Sequence, residues 1–184
     1  MRSKLSGLAV AALLLAGAAS PAAAQARGYF GFGAGVSLPI GDFKTEAKLG
    51  WLGQVVAGVT APNGILGGRI DGMYARNSAK GTAGFHFGLF GVNADLVVTP
   101  GHRPAKVHPY LLGGLGFYNL KVGGPSGYTG TSSTKLAWNL GAGLQIHSGD
   151  KMSVFTEARF ISILISGGSR NFIPISVGLR WGGI

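Results

Sequence analysis

Apolar residues recur at every second position in eight separate stretches of the chain. The clearest is KLAWNLGAGLQIH (135–147), in which Trp138 and Leu140 alternate with Asn139 and Gly141. A period of two residues is typical of a β-strand with one apolar face and one small or polar face. The same alternation predicts seven further strands, over 29–38, 51–60, 65–76, 84–98, 108–120, 152–164 and 172–181. With no helical period after the first two dozen residues, the pattern predicts an all-β chain.

The segments between these strands alternate in character. Those after strands two, four and six are short or contain proline, and the Asn63-Gly64 pair after strand two suits a tight hairpin. Those after strands one, three, five and seven, including 165–171, are mostly longer and rich in glycine, serine and lysine. The sequence therefore predicts an up-and-down meander with short turns at one rim and loops at the other.

The first 26 residues have the organisation of a secretory signal peptide. A basic start precedes a short apolar run, and residues 24–26 form an A-x-A cleavage site. The run is only about half of the ~20 residues that a membrane-spanning helix needs. We therefore expect a signal peptide over 1–26 and one domain over 27–184, with cleavage after Ala24 as the alternative.

Composition indicates which stripe of each strand faces inward. Charged residues make up 12% of the chain, against about 25% in a soluble domain, and 34 of the 184 residues are glycine. Glycine on a solvated strand face costs stability and contributes no packing. A soluble secreted barrel is the alternative, but it predicts an apolar lumen, against Glu157 and Arg159 in mid-strand. We therefore expect the apolar stripes to face lipid, which only helices and closed barrels can span.

The polar stripes then line the barrel interior, where charges need partners. The interior of an eight-stranded barrel is just wide enough for side chains to fill it, and glycines on the inner face leave room for Tyr110 and Tyr118. We expect equal numbers of both signs in an interior charge network of Arg69, Asp71, Asp95, Glu157, Arg159 and Arg180. The predicted aromatic girdles at the strand ends comprise Tyr29, Trp51, Phe117, Trp138 and Trp181. The sequence thus predicts an eight-stranded up-and-down antiparallel transmembrane β-barrel, preceded by a cleaved signal peptide.

Four stretches of the chain resemble the small outer-membrane β-barrel family, which includes the transmembrane domain of outer-membrane protein A. They are SLPIGDF (37–43), HPYLLGGLG (108–116), FTEARF (155–160) and FIPISVGLRW (172–181). The resemblance implies the outer membrane of a Gram-negative bacterium, with both termini in the periplasm and long loops outside. It also implies that the barrel-assembly machinery recognises the last strand during insertion. In the family this strand usually ends in an aromatic residue at the very last position, whereas here three residues follow Trp181.

Catalytic residues are sparse. Some small outer-membrane barrels are lipid A-modifying enzymes that use a histidine, a serine and an acid, for which the candidates here are His147, Ser148 and Glu157. We expect His147 to be a polar residue of the periplasmic rim. His102 and His108 lie in or beside one turn but lack a third ligand at metal-site spacing.

Cofactors are not expected either. The chain has no cysteine, which excludes a thiolate zinc site, and no helix follows GFGAG or GGLG, so neither is a phosphate-binding nucleotide loop. We expect His86, near the outer rim, to be an interface residue, and we expect no nucleic-acid partner for an exported barrel despite the net charge of +10.

Basic residues are concentrated in the predicted outer loops and strand ends. They are Lys44, Lys48, Arg76, Lys80, Lys121, Lys135 and Arg170. Asp42 and Glu46 are the only acids there, so contact with lipopolysaccharide phosphates is one interpretation and ordinary solvated charge is the other. We expect a non-enzymatic, monomeric outer-membrane barrel with a structural or surface-interaction role: envelope integrity, adhesion or ligand contact. A small pore or transporter is the alternative, and a lipid A-modifying enzyme is a third hypothesis.

Overall fold

The structure, a computed structural model, describes residues 26–81, 83–100, 106–125, 130, 132–148 and 151–182. The predicted signal peptide and both alternative cleavage positions concern residues 1–26, nearly all of which lie outside the described residues. His102 lies outside them as well.

The described chain forms one closed antiparallel barrel in which each strand pairs with its neighbours in sequence and the first pairs with the last. The strands are β1 (Arg27–Ile40), β2 (Ala47–Thr60), β3 (Leu66–Ala79), β4 (His86–Val98), β5 (Val107–Gly123), β6 (Ser132–His147), β7 (Met152–Ile165) and β8 (Gly168–Gly182). Closure runs from the Tyr29–Gly182 pair to the Ile40–Asn171 pair and leaves no unpaired sheet edge. The predicted eight-stranded up-and-down barrel is confirmed.

Two rims follow from this topology. The terminal rim carries the start of β1, the end of β8 and the connections 61–65, 99–106 and 148–151, and the distal rim carries the connections 41–46, 80–85, 124–131 and 166–167. The prediction of a short-turn rim and a long-loop rim is wrong, because the strands continue into segments predicted as loops. The clearest case is 165–171, where β7 and β8 meet in a two-residue turn that Gly167 completes with φ of 84°.

Among the described residues a short helix interrupts the β architecture, although no helix was predicted after the signal peptide. Helix α1 (Phe43–Glu46) follows β1, and its Phe43 side chain is buried in the mouth of the barrel. A register irregularity between Ala47 and Gly50 follows the helix in β2. Asn77 of the paired strand β3 donates to the carbonyl oxygens of Ser37 and Lys48 at this point. No helix among the described residues has the length and apolarity needed to cross a membrane.

The apolar stripes face outward, as predicted. Leu140 is 62% exposed while its neighbour Asn139 is 3% exposed, and the same contrast recurs around the barrel. Trp51 and Phe117 lie on this outward wall, but Tyr29, predicted in the aromatic girdle, is buried inside the barrel. Tyr29 belongs to the inward stripe of β1, and its ring occupies the space that a Cβ on Gly58 of β2 would take.

Inward glycines are positioned where large side chains cross the lumen. A Cβ on Gly91 would overlap the Tyr118 ring, and one on Gly143 would overlap the Tyr110 ring. By contrast, a Cβ on the outward-facing Gly53 would have no heavy atom within 4 Å. The glycine-rich face is therefore the packing partner of the interior aromatic residues.

Candidate functional site

A buried ion network fills the lumen on the side of the terminal rim. The Arg69 guanidinium donates to both carboxylate oxygens of Glu157, at 2.6 and 3.1 Å. Arg159 donates to three carboxylates: through Nε to Glu157, through Nη1 to Asp95 at 3.1 Å, and through Nη2 to Asp71 at 2.7 Å. Strands β3, β4 and β7 supply these five side chains, all of which are buried.

Neutral side chains complete the bonding of the carboxylates. Tyr110 donates to Glu157 Oε2 at 2.7 Å, Asn139 donates to Asp95 at 2.7 Å, and Asn93 donates to Asp71 at 2.9 Å. Ion pairs and hydrogen bonds together offset much of the free-energy cost of burying these charges. Removing one partner leaves the other charges buried without compensation. The network therefore acts as a single cross-brace between opposite walls of the barrel.

Arg180 lies apart from this network, contrary to the prediction. Its side chain is half-buried, donates to Gln145 at 2.9 Å, and places its guanidinium carbon 3.3 Å from the centre of the Tyr29 ring. Within the part of the chain that the structure describes, it forms no ion pair. The interior network thus contains two guanidinium groups and three carboxyl groups rather than equal numbers of both signs.

An apolar cluster, which we call the plug, fills the lumen on the side of the distal rim. Its buried members are Phe43, Ala47, Leu52, Met73, Ala75, Leu89, Tyr118, Ala137, Ile161, Ile163 and Phe172. The expectation of a polar interior throughout is therefore wrong for this half. Two features of the sequence could have predicted the plug. Met73 lies on the same stripe of β3 as the charged residues, and Ile161 follows Glu157 and Arg159 on the inward stripe of β7.

Helix α1 covers the plug at the mouth of the barrel. Phe43 packs edge-on against Phe87, with ring centres 5.5 Å apart. The Arg170 guanidinium lies 5.6 Å from each of these two ring centres and pairs with Glu46 at 2.7 Å. Cation–π contacts and an ion pair thus hold the connection between β1 and β2 across the opening.

The seven basic residues predicted to contact lipopolysaccharide fall into two groups. Four belong to the mouth: Arg170 is paired with Glu46, Lys80 donates to the carbonyl oxygen of Lys44 at 2.7 Å, and Lys135 lies on the inward stripe of β6. The other three are the exposed residues Lys48, Arg76 and Lys121. Arg76 and Lys121 face outward near the distal rim, on either side of Gly88, and His86 faces outward beside them.

The histidine, serine and acid considered as catalytic candidates do not form a triad. The His147 ring packs edge-on against His108, with ring centres 4.8 Å apart, while both Glu157 carboxylate oxygens are held by arginines and Tyr110. Among the described residues, no group of three or more histidine, cysteine, aspartate or glutamate side chains is arranged to hold a metal ion.

Comparisons with known proteins agree with this architecture. Residues 9–181 match the family model of the outer membrane protein β-barrel domain. No curated protein matches the chain at a significant level.

Three solved structures share the fold at low sequence identity. Neisserial surface protein A is 16% identical, with 84% of this chain and 96% of that chain covered and a TM-score of 0.67. Ail, the attachment invasion locus protein of Yersinia pestis, is 17% identical (86% and 99% covered, TM-score 0.60), and the N-terminal barrel domain of Pseudomonas aeruginosa OprF is 13% identical (86% and 97%, TM-score 0.52). The family match covers most of the chain, and the chain belongs to the outer-membrane β-barrel proteins of Gram-negative bacteria.

Proposed function

We propose that this protein is an exported, non-enzymatic surface-interaction protein whose barrel is a closed anchor. The observation that carries the proposal is the filling of the lumen at successive depths. The ion network crosses one half, the plug occupies the other, and α1 lies over the mouth. Because the interior side chains pack against one another, the polar residues that remain free to contact a partner lie at the two rims and on the lipid-facing surface beside them.

We propose that the distal rim faces the exterior of the cell. It carries the basic residues described above, whereas β1 begins and β8 ends at the opposite rim. One structure of similar fold is of Ail in complex with the heparin analogue sucrose octasulfate. A basic distal rim suits contact with anionic groups of the cell surface, because Arg and Lys bind phosphate and sulfate oxygens through charge-assisted hydrogen bonds.

Planar-bilayer recording tests the closed lumen. The purified protein is refolded in detergent, checked for heat-modifiable gel migration, and inserted into bilayers beside a conducting porin as the positive control. We expect no resolved single-channel steps from folded, inserted protein. Regular steps would overturn the closed-anchor proposal in favour of a small pore. Mass spectrometry of lipid A from cells with and without the protein tests enzymatic modification, and we expect identical spectra.

A further inference from the structure

A polar cleft lies on the outward surface of the barrel where β2, β3 and β4 reach the distal rim. It has a volume of about 450 Å³, and the side chains that line it include Lys48, Arg76, Ser78 and His86. Arg76 Nη2 lies 3.3 Å from His86 Nδ1, and since a guanidinium can only donate, the imidazole accepts. The cleft therefore places an ammonium group, a guanidinium group, a hydroxyl and an imidazole around one space.

Neither Lys48 nor Arg76 forms an ion pair with an acid that the structure describes. Three of the acidic residues that the structure describes are buried in the ion network, and Glu46 pairs with Arg170 at the mouth. Asp42 lies in the connection after β1. No described acid thus lies on the outward face of any strand. Lys121 adds a further cation near the cleft, because the intervening Gly88 has no side chain.

The wall next to the cleft is apolar and aromatic. Trp51 is paired in register with Arg76, and its ring centre lies 5.6 Å from that of Tyr74, which also faces outward. Both rings are exposed on the lipid-facing wall. An anion bound in the cleft is therefore at the boundary between the apolar wall and the rim, the depth at which a lipid headgroup begins.

We propose that this cleft binds a phosphate of a phosphorylated glycolipid in the outer leaflet, of the lipid A class. Arg76 supplies the planar fork that matches two phosphate oxygens, and Lys48 supplies a point charge. The lipid's acyl chains lie along the wall beside Trp51 and Tyr74. A water takes about 30 Å³ of liquid volume, so the cleft has room for a phosphate together with part of its sugar. This inference rests on the proposed orientation, in which the distal rim faces outward.

Binding of purified lipid A to the refolded full barrel in detergent tests the site. The readout is the apparent Kd from the rise in the thermal midpoint at which the folded gel band is lost, since a ligand of the folded state raises that midpoint. We expect Lys48→Gln/Arg76→Gln to bind bisphosphorylated lipid A at least tenfold more weakly than wild type. The matched control, Lys106→Gln/Lys151→Gln, removes the same charge at the terminal rim and should bind as wild type does.

Three further arms sharpen the outcome. Arg76→Lys keeps the charge without the fork and should give an intermediate Kd, and dephosphorylated lipid A should bind wild type as weakly as lipid A binds the double variant. Inorganic phosphate at millimolar concentration should neither stabilise the barrel nor displace lipid A; if it does both, the site takes free anions and the lipid assignment is overturned. An equal loss of lipid A affinity in the two double variants would show that net charge alone causes the effect, and it would overturn the proposed site. None of these results depends on conductance, so a conducting lumen and a failed cleft are distinguishable.

Discussion

The two halves of the lumen are built on the same inward stripes but from opposite chemistry. On β7, Arg159 and Ile161 are successive inward residues, and both are fully buried. Arg159 bonds to three carboxylates in the ion network, whereas Ile161 packs among the aromatic and aliphatic side chains of the plug. A single step of two residues thus crosses from a charged layer to an apolar one.

This difference shows that the interior of a small barrel is specified layer by layer. The ion network depends on mutual pairing, so its members succeed or fail together. The plug depends on shape and volume, so its members contribute more nearly one by one. Substitutions on either side of the boundary should therefore differ in both size and cooperativity.

Breaking the network at its centre should have the largest effect. Arg159→Met removes the partner of Asp71, Asp95 and Glu157 while keeping an unbranched side chain of similar length. Losing one partner of a buried charge network costs about 3–5 kcal/mol, because the remaining charges stay desolvated. The free energy of unfolding is measured by urea titration of the barrel in lipid vesicles.

Arg180→Met is the matched control. Arg180 also faces inward, but it is half-buried and its hydrogen bond is to the neutral Gln145. We expect a smaller loss than for Arg159→Met. Equal losses for the two variants would contradict the separation of Arg180 from the network.

The position of Arg180 also shows what the sequence could predict and what it could not. Alternation predicted the strands and the inward stripe that Arg180 shares with the network, and both are seen in the structure. Alternation does not fix the register between strands, however. The tight turn at 166–167 sets Arg180 opposite Ser153 and sets Ser176 opposite Glu157. Because that turn lay within a segment predicted as a loop, the distance between Arg180 and the carboxylates was not predictable.

Truncating a plug residue should have the next largest effect. Ile161→Ala leaves a cavity among close-packed neighbours, and such a change costs about 2–5 kcal/mol depending on how far the site collapses. The outward Ile175→Ala is the control, because lipid fills the space left at a lipid-facing side chain. The same urea titration compares them. If both variants lose equal stability, the plug does not contribute more than the lipid-facing wall.

Removing a hydroxyl at the boundary should have the smallest effect. Tyr118 spans the two halves: its ring packs 5.9 Å from the Phe172 ring in the plug, and its hydroxyl accepts a hydrogen bond from Asn93 at 3.0 Å. Tyr118→Phe keeps the ring and should cost about 0.5–1.5 kcal/mol, the net value of one neutral hydrogen bond. Asn93 keeps its bond to Asp71, so the network stays intact.

Tyr110→Phe provides the comparison within the network itself. Its hydroxyl donates to a carboxylate, Glu157, and a hydrogen bond to a charged group contributes about 1.5–3 kcal/mol. Urea titration should therefore show a larger loss in the free energy of unfolding for Tyr110→Phe than for Tyr118→Phe. A loss for Tyr118→Phe as large as that for Tyr110→Phe would place Tyr118 inside the cooperative network and move the boundary between the halves toward the distal rim. Near-zero loss would instead assign Tyr118 wholly to the plug, because only its ring would then contribute to stability.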